Sequence, residues 1–386
     1  MAFAGKHSAG TSQQLIGCVG VALEVVKTPS THRESVIAVM NPWFGIILVV
    51  SAGVLNGSYA LPMKKTSRWS FENTWLIYSI VAMLVLSWGI ALITVPNLTE
   101  VYSRAGVKPV LMVFIFGLIW GLANLLFGAG LFLIGMSLTF PICIGLSTAL
   151  GSLIPMAQHP QVFLTRGGAT ITLGIAVLLA GVVVCALAGI RLEAQSSSGS
   201  AEERGAPART SSTLVKGLMI VILAGLFDPF LNFAFTFGDR ISNEAKAAGA
   251  TAGAESDAIW AIALLGSFVV NVIYCAKLLT RNGTWVRFRE PGTAGYWLLA
   301  SLMGVIWMFS ITLYGRGASM MGPLGGSVGW AVFYCSIIIF STLWGIVCGE
   351  WREGRGRPLR TLYVGLAVLM VAIVILGFGN TFAAST

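Results

Sequence analysis

Long runs without a charged residue recur along the chain. Ser35–Met63, Asn73–Thr99, Gly167–Ile190 and Thr361–Thr386 contain no Asp, Glu, Lys or Arg. Each exceeds the roughly 20 residues that an α-helix needs to cross a bilayer. Reading from charge to charge predicts ten spans, at about 43–63, 74–96, 109–134, 137–157, 168–190, 217–238, 258–276, 294–314, 322–348 and 361–383. The uncharged run Pro109–Thr165 is too long for one helix, so it is divided near Gly135–Ser137 into two helices joined by a very short turn.

Composition gives this pattern its meaning. Charged residues make up 10% of the 386, hydrophobic ones 56%, and the mean hydropathy is +0.83. A soluble domain is about 25% charged, so this chain cannot coat a water-facing surface, and an ordinary soluble enzyme is excluded. The net charge of +9 does not point to nucleic acid, because the basic residues lie between apolar spans and form no stripe with interleaved aromatics. The six cysteines form no CxxC or Cys/His cluster, so neither a metal site nor a disulfide framework is indicated.

The basic residues do assign sides. Loops 64–72, 191–216, 277–293 and 349–360 carry fifteen Lys and Arg, against nine on the opposite side and in the N-terminal tail. This asymmetry places the basic loops in the cytoplasm and both termini outside. Residues 1–40 read as a tail: Leu15–Val26 is apolar but too short to span, and Leu15-Ile-Gly-Cys18 lacks the hydrophobic stretch of a lipoprotein signal. Met40 immediately precedes the first span and is a candidate start of translation. The segment 191–216, with its Ser-rich and Gly-Ala-Pro stretches, reads as a flexible linker between 41–190 and 217–386.

Those two halves resemble each other. Gly117-Leu-Ile-Trp120 recurs as Gly304-Val-Ile-Trp307, with Phe127-Gly128 facing Tyr314-Gly315 at the same offset of 187. Gly174-Ile-Ala-Val-Leu178 recurs as Gly365-Leu-Ala-Val-Leu369, and Ala52-Gly-Val-Leu-Asn56 more weakly as Ala224-Gly-Leu-Phe-Asp228. Five spans per half invert the second copy in the membrane, as in many secondary transporters. The expected fold is therefore an all-α polytopic membrane protein of ten helices in two inverted five-helix repeats. GxxxG pairs at Gly53/Gly57, Gly117/Gly121 and Gly322/Gly326 suit close helix packing.

Of fifteen acidic residues, only Asp228 falls well inside a predicted span. A carboxyl there is costly unless it is protonated or faces a cavity, so Asp228 is a candidate for proton coupling; the alternative is a partnered Asp near a helix end. Pro229 follows it and would loosen the helix. Polar groups at depth, Asn56, Tyr59, Asn124, Asn232, Tyr314 and Tyr334, with the repeat-related Trp120 and Trp307, are candidate substrate contacts. Amides and hydroxyls suit the OH groups of a neutral sugar, and an aromatic face suits its C–H face. The alternative for each polar group is an interhelical hydrogen bond. No HExxH, GxSxG or Walker loop occurs, so neither catalysis nor ATP-driven pumping is indicated.

Several segments resemble the bacterial L-rhamnose–proton symporter family of the drug/metabolite transporter superfamily. They are Tyr59-Ala-Leu-Pro-Met-Lys-Lys65 with Arg68-Trp-Ser-Phe-Glu-Asn-Thr-Trp75, and Trp120-Gly-Leu-Ala-Asn124 continuing to Gly135-Met-Ser137. The last is Glu350-Trp351 with Arg357-Pro358. The resemblance covers residues 41–380 and implies ten helices in two repeats and proton-driven L-rhamnose uptake across a bacterial inner membrane. It also carries over Lys64, Lys65, Trp69, Glu72 and Glu350, whose place at the membrane edge suits a gate rather than sugar contact. The expected partners are a small sugar, a proton and membrane lipid, with no cofactor, metal or nucleic acid. Oligomeric state stays open. So do two alternatives: an exporter or exchanger of another metabolite, and a non-transporting membrane receptor.

Overall fold

The computed structural model describes residues 42–134, 136–197, 211–251, 253–349, 351 and 356–384. The N-terminal tail with Cys18 and Met40, Gly135, the Ser-rich centre of the linker and Glu350 lie outside the described residues. The rest forms ten helices long and apolar enough to cross a membrane. They are α1 (Pro42–Ser58), α2 (Phe71–Thr94), α3 (Val107–Ile134), α4 (Met136–Met156) and α5 (Arg166–Ser197). The second set is α6 (Ser211–Phe227, resuming as Phe230–Thr236), α7 (Glu255–Asn282), α8 (Ala294–Met320), α9 (Gly325–Val347) and α10 (Arg357–Ala384). No strand occurs among the described residues.

Local sequence sets several ends. Ser70 and Asn73 form a capping box at the start of α2, each side chain bonding the other's backbone N–H. α7 closes on Gly283, whose φ of 66° is the left-handed conformation that glycine supplies after a helix. α7 also begins earlier than expected. It starts at Glu255 and carries Glu255 and Asp257 in its first turn, where the helix dipole favours acids. The linker is shorter than its composition suggested, because α5 continues to Ser197 and α6 starts at Ser211. In the middle of α2, Ile80–Leu86 winds as π-helix rather than α-helix.

Large apolar side chains such as Leu92, Ile273, Leu298 and Val347 point outwards. That surface would aggregate in water and is covered by lipid in a membrane. Inside, α1 packs on α8 and α9, and α6 packs on α3 and α4. The pair α2–α8 is matched by α7–α3, and α4–α5 by α9–α10. Across the middle, α2 meets α7, α4 meets α9 and α5 meets α10. When the helix number shifts by five, these contacts exchange in pairs, except the three across the middle, which map onto themselves.

Glycines allow two of these approaches. A Cβ on Gly117 would overlap the Ala263 carbonyl of α7, and one on Gly121 would press on Ser267. Gly53 and Gly57 lie as closely against Ser336 and Ser341 of α9. The third GxxxG differs from expectation. Gly322 sits in the α8–α9 turn with φ of 81°, while Gly326 packs on Thr236. That spacing marks a turn and a contact, not a paired helix face.

Candidate functional site

Asp228 occupies a break in α6. Its own N–H still bonds to Ala224, and Phe233 bonds back to Pro229, but Pro229 has no N–H for the Gly225 carbonyl. The helix stops at Phe227 and restarts at Phe230, leaving the half-buried Asp228 at the joint. One oxygen of this carboxyl accepts hydrogen bonds from Ser147 of α4, at 2.5 Å, and from the Tyr334 hydroxyl of α9. Trp120 of α3 is a further close neighbour of this carboxyl. Three helices thus converge on one acid.

Trp120 links this acid to the aromatic pair. Its ring stacks on Trp307, with centroids 5.7 Å apart and an interplanar angle of 21°. Both rings are buried. Trp307 in turn meets Tyr78 edge-on at 6.0 Å, and Tyr78 stacks on Tyr59 at 5.6 Å. Trp120, Trp307, Tyr78 and Tyr59 therefore form one aromatic wall, at whose end stands Asp228.

The amides divide into two kinds. Asn232 is fully buried and its capacity is taken by protein: it donates to the carbonyls of Gly151 and Gly326 at 2.8 and 2.9 Å and accepts from Tyr314 at 2.5 Å. In this arrangement Asn232 and Tyr314 tie α4, α6, α8 and α9 together. Asn56 is half-buried and among the described residues its amide donates to Ser310, at 3.2 Å. Asn124 is half-buried, and no hydrogen bond joins its side chain to another described residue.

Of the residues expected at the gate, Lys64, Lys65, Trp69 and Glu72 lie between the end of α1 and the first turn of α2, the face that carries the basic loops. Lys64 and Lys65 are exposed at the end of the short helix Leu61–Lys65. Trp69 is buried, donates to the Arg287 carbonyl at 3.0 Å, and packs edge-on against Phe288 and Tyr296. Glu72 is buried and accepts from Thr284 at 2.7 Å and Asn282 at 3.1 Å. This face joins the start of α2 to the end of α7.

Two sets of residues escaped the sequence reading. Ser147 is one: small hydroxyls in membrane helices usually bond their own preceding turn and carry no signal by themselves. The other is Asp257, which pairs with Arg316 at 3.1 Å and accepts from Thr94 at 2.9 Å. Among the described residues, no group of three His, Cys, Asp or Glu is placed to hold a metal ion.

Ten apolar helices make this a multi-pass membrane protein, and an acid at a helix break beside a stacked aromatic pair is an arrangement that suits a secondary transporter. The sequence narrows this further. The profile of the L-rhamnose-proton symport protein (RhaT) family matches residues 37–382, and the chain belongs to that family. Relatives named L-rhamnose-proton symporter include one from Mannheimia succiniciproducens, 27% identical over 326 residues, covering 82% of this chain and 92% of the relative. One from Yersinia pestis is 26% identical over 343 residues, with 87% and 97% covered. One from Escherichia coli is 27% identical over 327 residues, with 82% and 92% covered.

Proposed function

We propose that this chain imports L-rhamnose, a neutral monosaccharide, together with protons across a bacterial inner membrane. The observation that carries this reading is the carboxyl of Asp228 at the break in α6, held by Ser147 and Tyr334 beside the Trp120–Trp307 stack. A carboxyl at that depth binds and releases a proton at a site that helices from both halves share. The aromatic wall offers the apolar face a sugar ring needs, and Asn124 and Asn56 offer amides for its hydroxyls. Membership of the symport family supports the pairing of the two.

The mechanism we infer is alternating access of two inverted five-helix repeats, 41–190 and 217–386. The shift-by-five packing supports it, because exchanging the conformations of two matched halves exchanges the open side. The basic loops then lie in the cytoplasm and both termini in the periplasm. Proton binding drives the cycle only through a difference in affinity between the two states.

The test is sugar-induced proton movement in de-energised cells expressing the chain. L-rhamnose should alkalinise the medium, and labelled L-rhamnose should show counterflow in proteoliposomes. Asp228→Asn should abolish alkalinisation and accumulation but keep exchange. No counterflow by the unaltered protein would defeat the substrate assignment; alkalinisation retained by the variant would defeat the role of Asp228.

A further inference from the structure

The two ends of the α2–α7 contact carry the same chemistry in opposite sense. At the basic face, a carboxylate at the start of α2 accepts from a threonine just beyond the end of α7: Glu72 from Thr284, at 2.7 Å. At the opposite face, a carboxylate at the start of α7 accepts from a threonine at the end of α2: Asp257 from Thr94, at 2.9 Å, with the Ile90 carbonyl of the preceding turn sharing the same hydroxyl at 2.8 Å. Both carboxylates are buried, at 4% and 1% exposure, so neither is a solvated surface group. Each hydrogen bond closes one end of the same antiparallel pair, at membrane faces some 24 residues of helix apart.

The two ends differ in how well they are satisfied. At the basic face Glu72 has a second donor, Asn282, and the loops are pinned by Asn73 on the Thr284 carbonyl and Trp69 on the Arg287 carbonyl. At the opposite face Asp257 gains Arg316, and Lys246 meets Glu255 at 3.4 Å. Yet one oxygen each of Asp257 and Glu255, and the Nε of Arg316, have no hydrogen-bond partner among the described residues. Buried charges left partly unpaired weaken the closed arrangement that holds them.

We infer that Asp257 and Thr94, with Arg316, are positioning residues that latch the face opposite the basic loops, in reciprocal balance with a Glu72–Thr284 latch at the basic face. The inference rests on the alternating-access reading above and adds to it the residues that close each side. Opening one latch lets α2 and α7 part at that face only while the other stays shut. The incompletely satisfied Asp257 latch is the one that opens more readily without sugar, and in the proposed orientation it faces the periplasm, where an importer meets its substrate.

Hydrogen–deuterium exchange of the full chain in lipid nanodiscs, without sugar, tests this. Exchange should be faster in 91–96 and 255–260 than in 71–75 and 280–289. Thr94→Val removes one donor to a carboxylate and should speed exchange about tenfold at 91–96 and 255–260 while slowing it at 71–75 and 280–289. Thr284→Val should do the reverse, and Thr94→Ser, which keeps the hydroxyl, should restore the unaltered pattern. Loosening confined to the mutated face, with no protection gained at the other, would overturn the inference, as would no change at either. Because no sugar is present, the outcome is independent of whether L-rhamnose is the substrate, which counterflow decides separately.

Discussion

Ser147 and Tyr334 send two hydroxyls to the same oxygen of Asp228, from α4 and α9, which themselves pack together. A hydrogen bond to a charged group is worth about 1.5–3 kcal/mol, so each donor matters to how the acid handles its proton. Tyr334→Phe and Ser147→Ala should each lower proton-driven L-rhamnose accumulation by roughly tenfold or more. Exchange of labelled sugar, measured in the same vesicles, should fall less. Trp120→Ala should act differently. Loss of the ring removes stacking worth about 0.5–1.5 kcal/mol and should raise KM for the sugar several-fold. An unchanged KM would place the sugar away from the Trp120–Trp307 pair. Asp228 was legible in the sequence because an acid among apolar residues is a costly anomaly. Ser147 was not, since a serine in a membrane helix costs little wherever it points.

At the level of helices, hydropathy located all ten spans because lipid demands an apolar length that nothing else in the chain imitates. Their ends were less legible, for a physical reason. Reading spans from charge to charge puts every terminal charge outside its helix, whereas α7 takes Glu255 and Asp257 into its first turn and buries both. Helix contacts obey a different constraint. Gly117 and Gly121 let α3 lie against the backbone of α7, and Gly266 of α7 lies as closely against the Phe114 carbonyl. Both partners are rigid helix backbone, so neither can yield. Gly117→Ala should therefore cost about 1–3 kcal/mol or more of overpacking strain and lower both folded yield and thermal stability in detergent. Gly128→Ala, on the same helix with open space around it, should be neutral in the same assay.

For the whole molecule, the main helix contacts keep their pattern when helix numbers shift by five, as two matched halves would. The sequence similarity between Gly117–Trp120 and Gly304–Trp307 lies at glycines and tryptophans. It did not reach the latch residues, since Glu72 and Asp257 differ in type and their partners lie in loops or at helix ends. The reciprocity makes a further prediction. Distant sites usually contribute independently to stability, yet Thr94 and Thr284 act on one shared equilibrium. The double variant Thr94→Val, Thr284→Val should lose most of the opposed exchange pattern of either single variant. Two separate patterns that simply add, with both faces loosened, would show that the faces do not communicate.

The π-helical stretch of α2 bears on all of this through angle rather than energy. Residues in an α-helix advance about 100° each, so the direction in which Glu72 faces fixes the direction in which Thr94 faces. Ile80–Leu86, bonded i→i+5, accommodates an extra residue and resets that phase midway along the rod. Removing one residue there would leave α2 long enough to cross the bilayer and as apolar as before. It would also turn one end by roughly a third of a revolution against the other, so that α2 could address α7 at one membrane face or the other, but never at both.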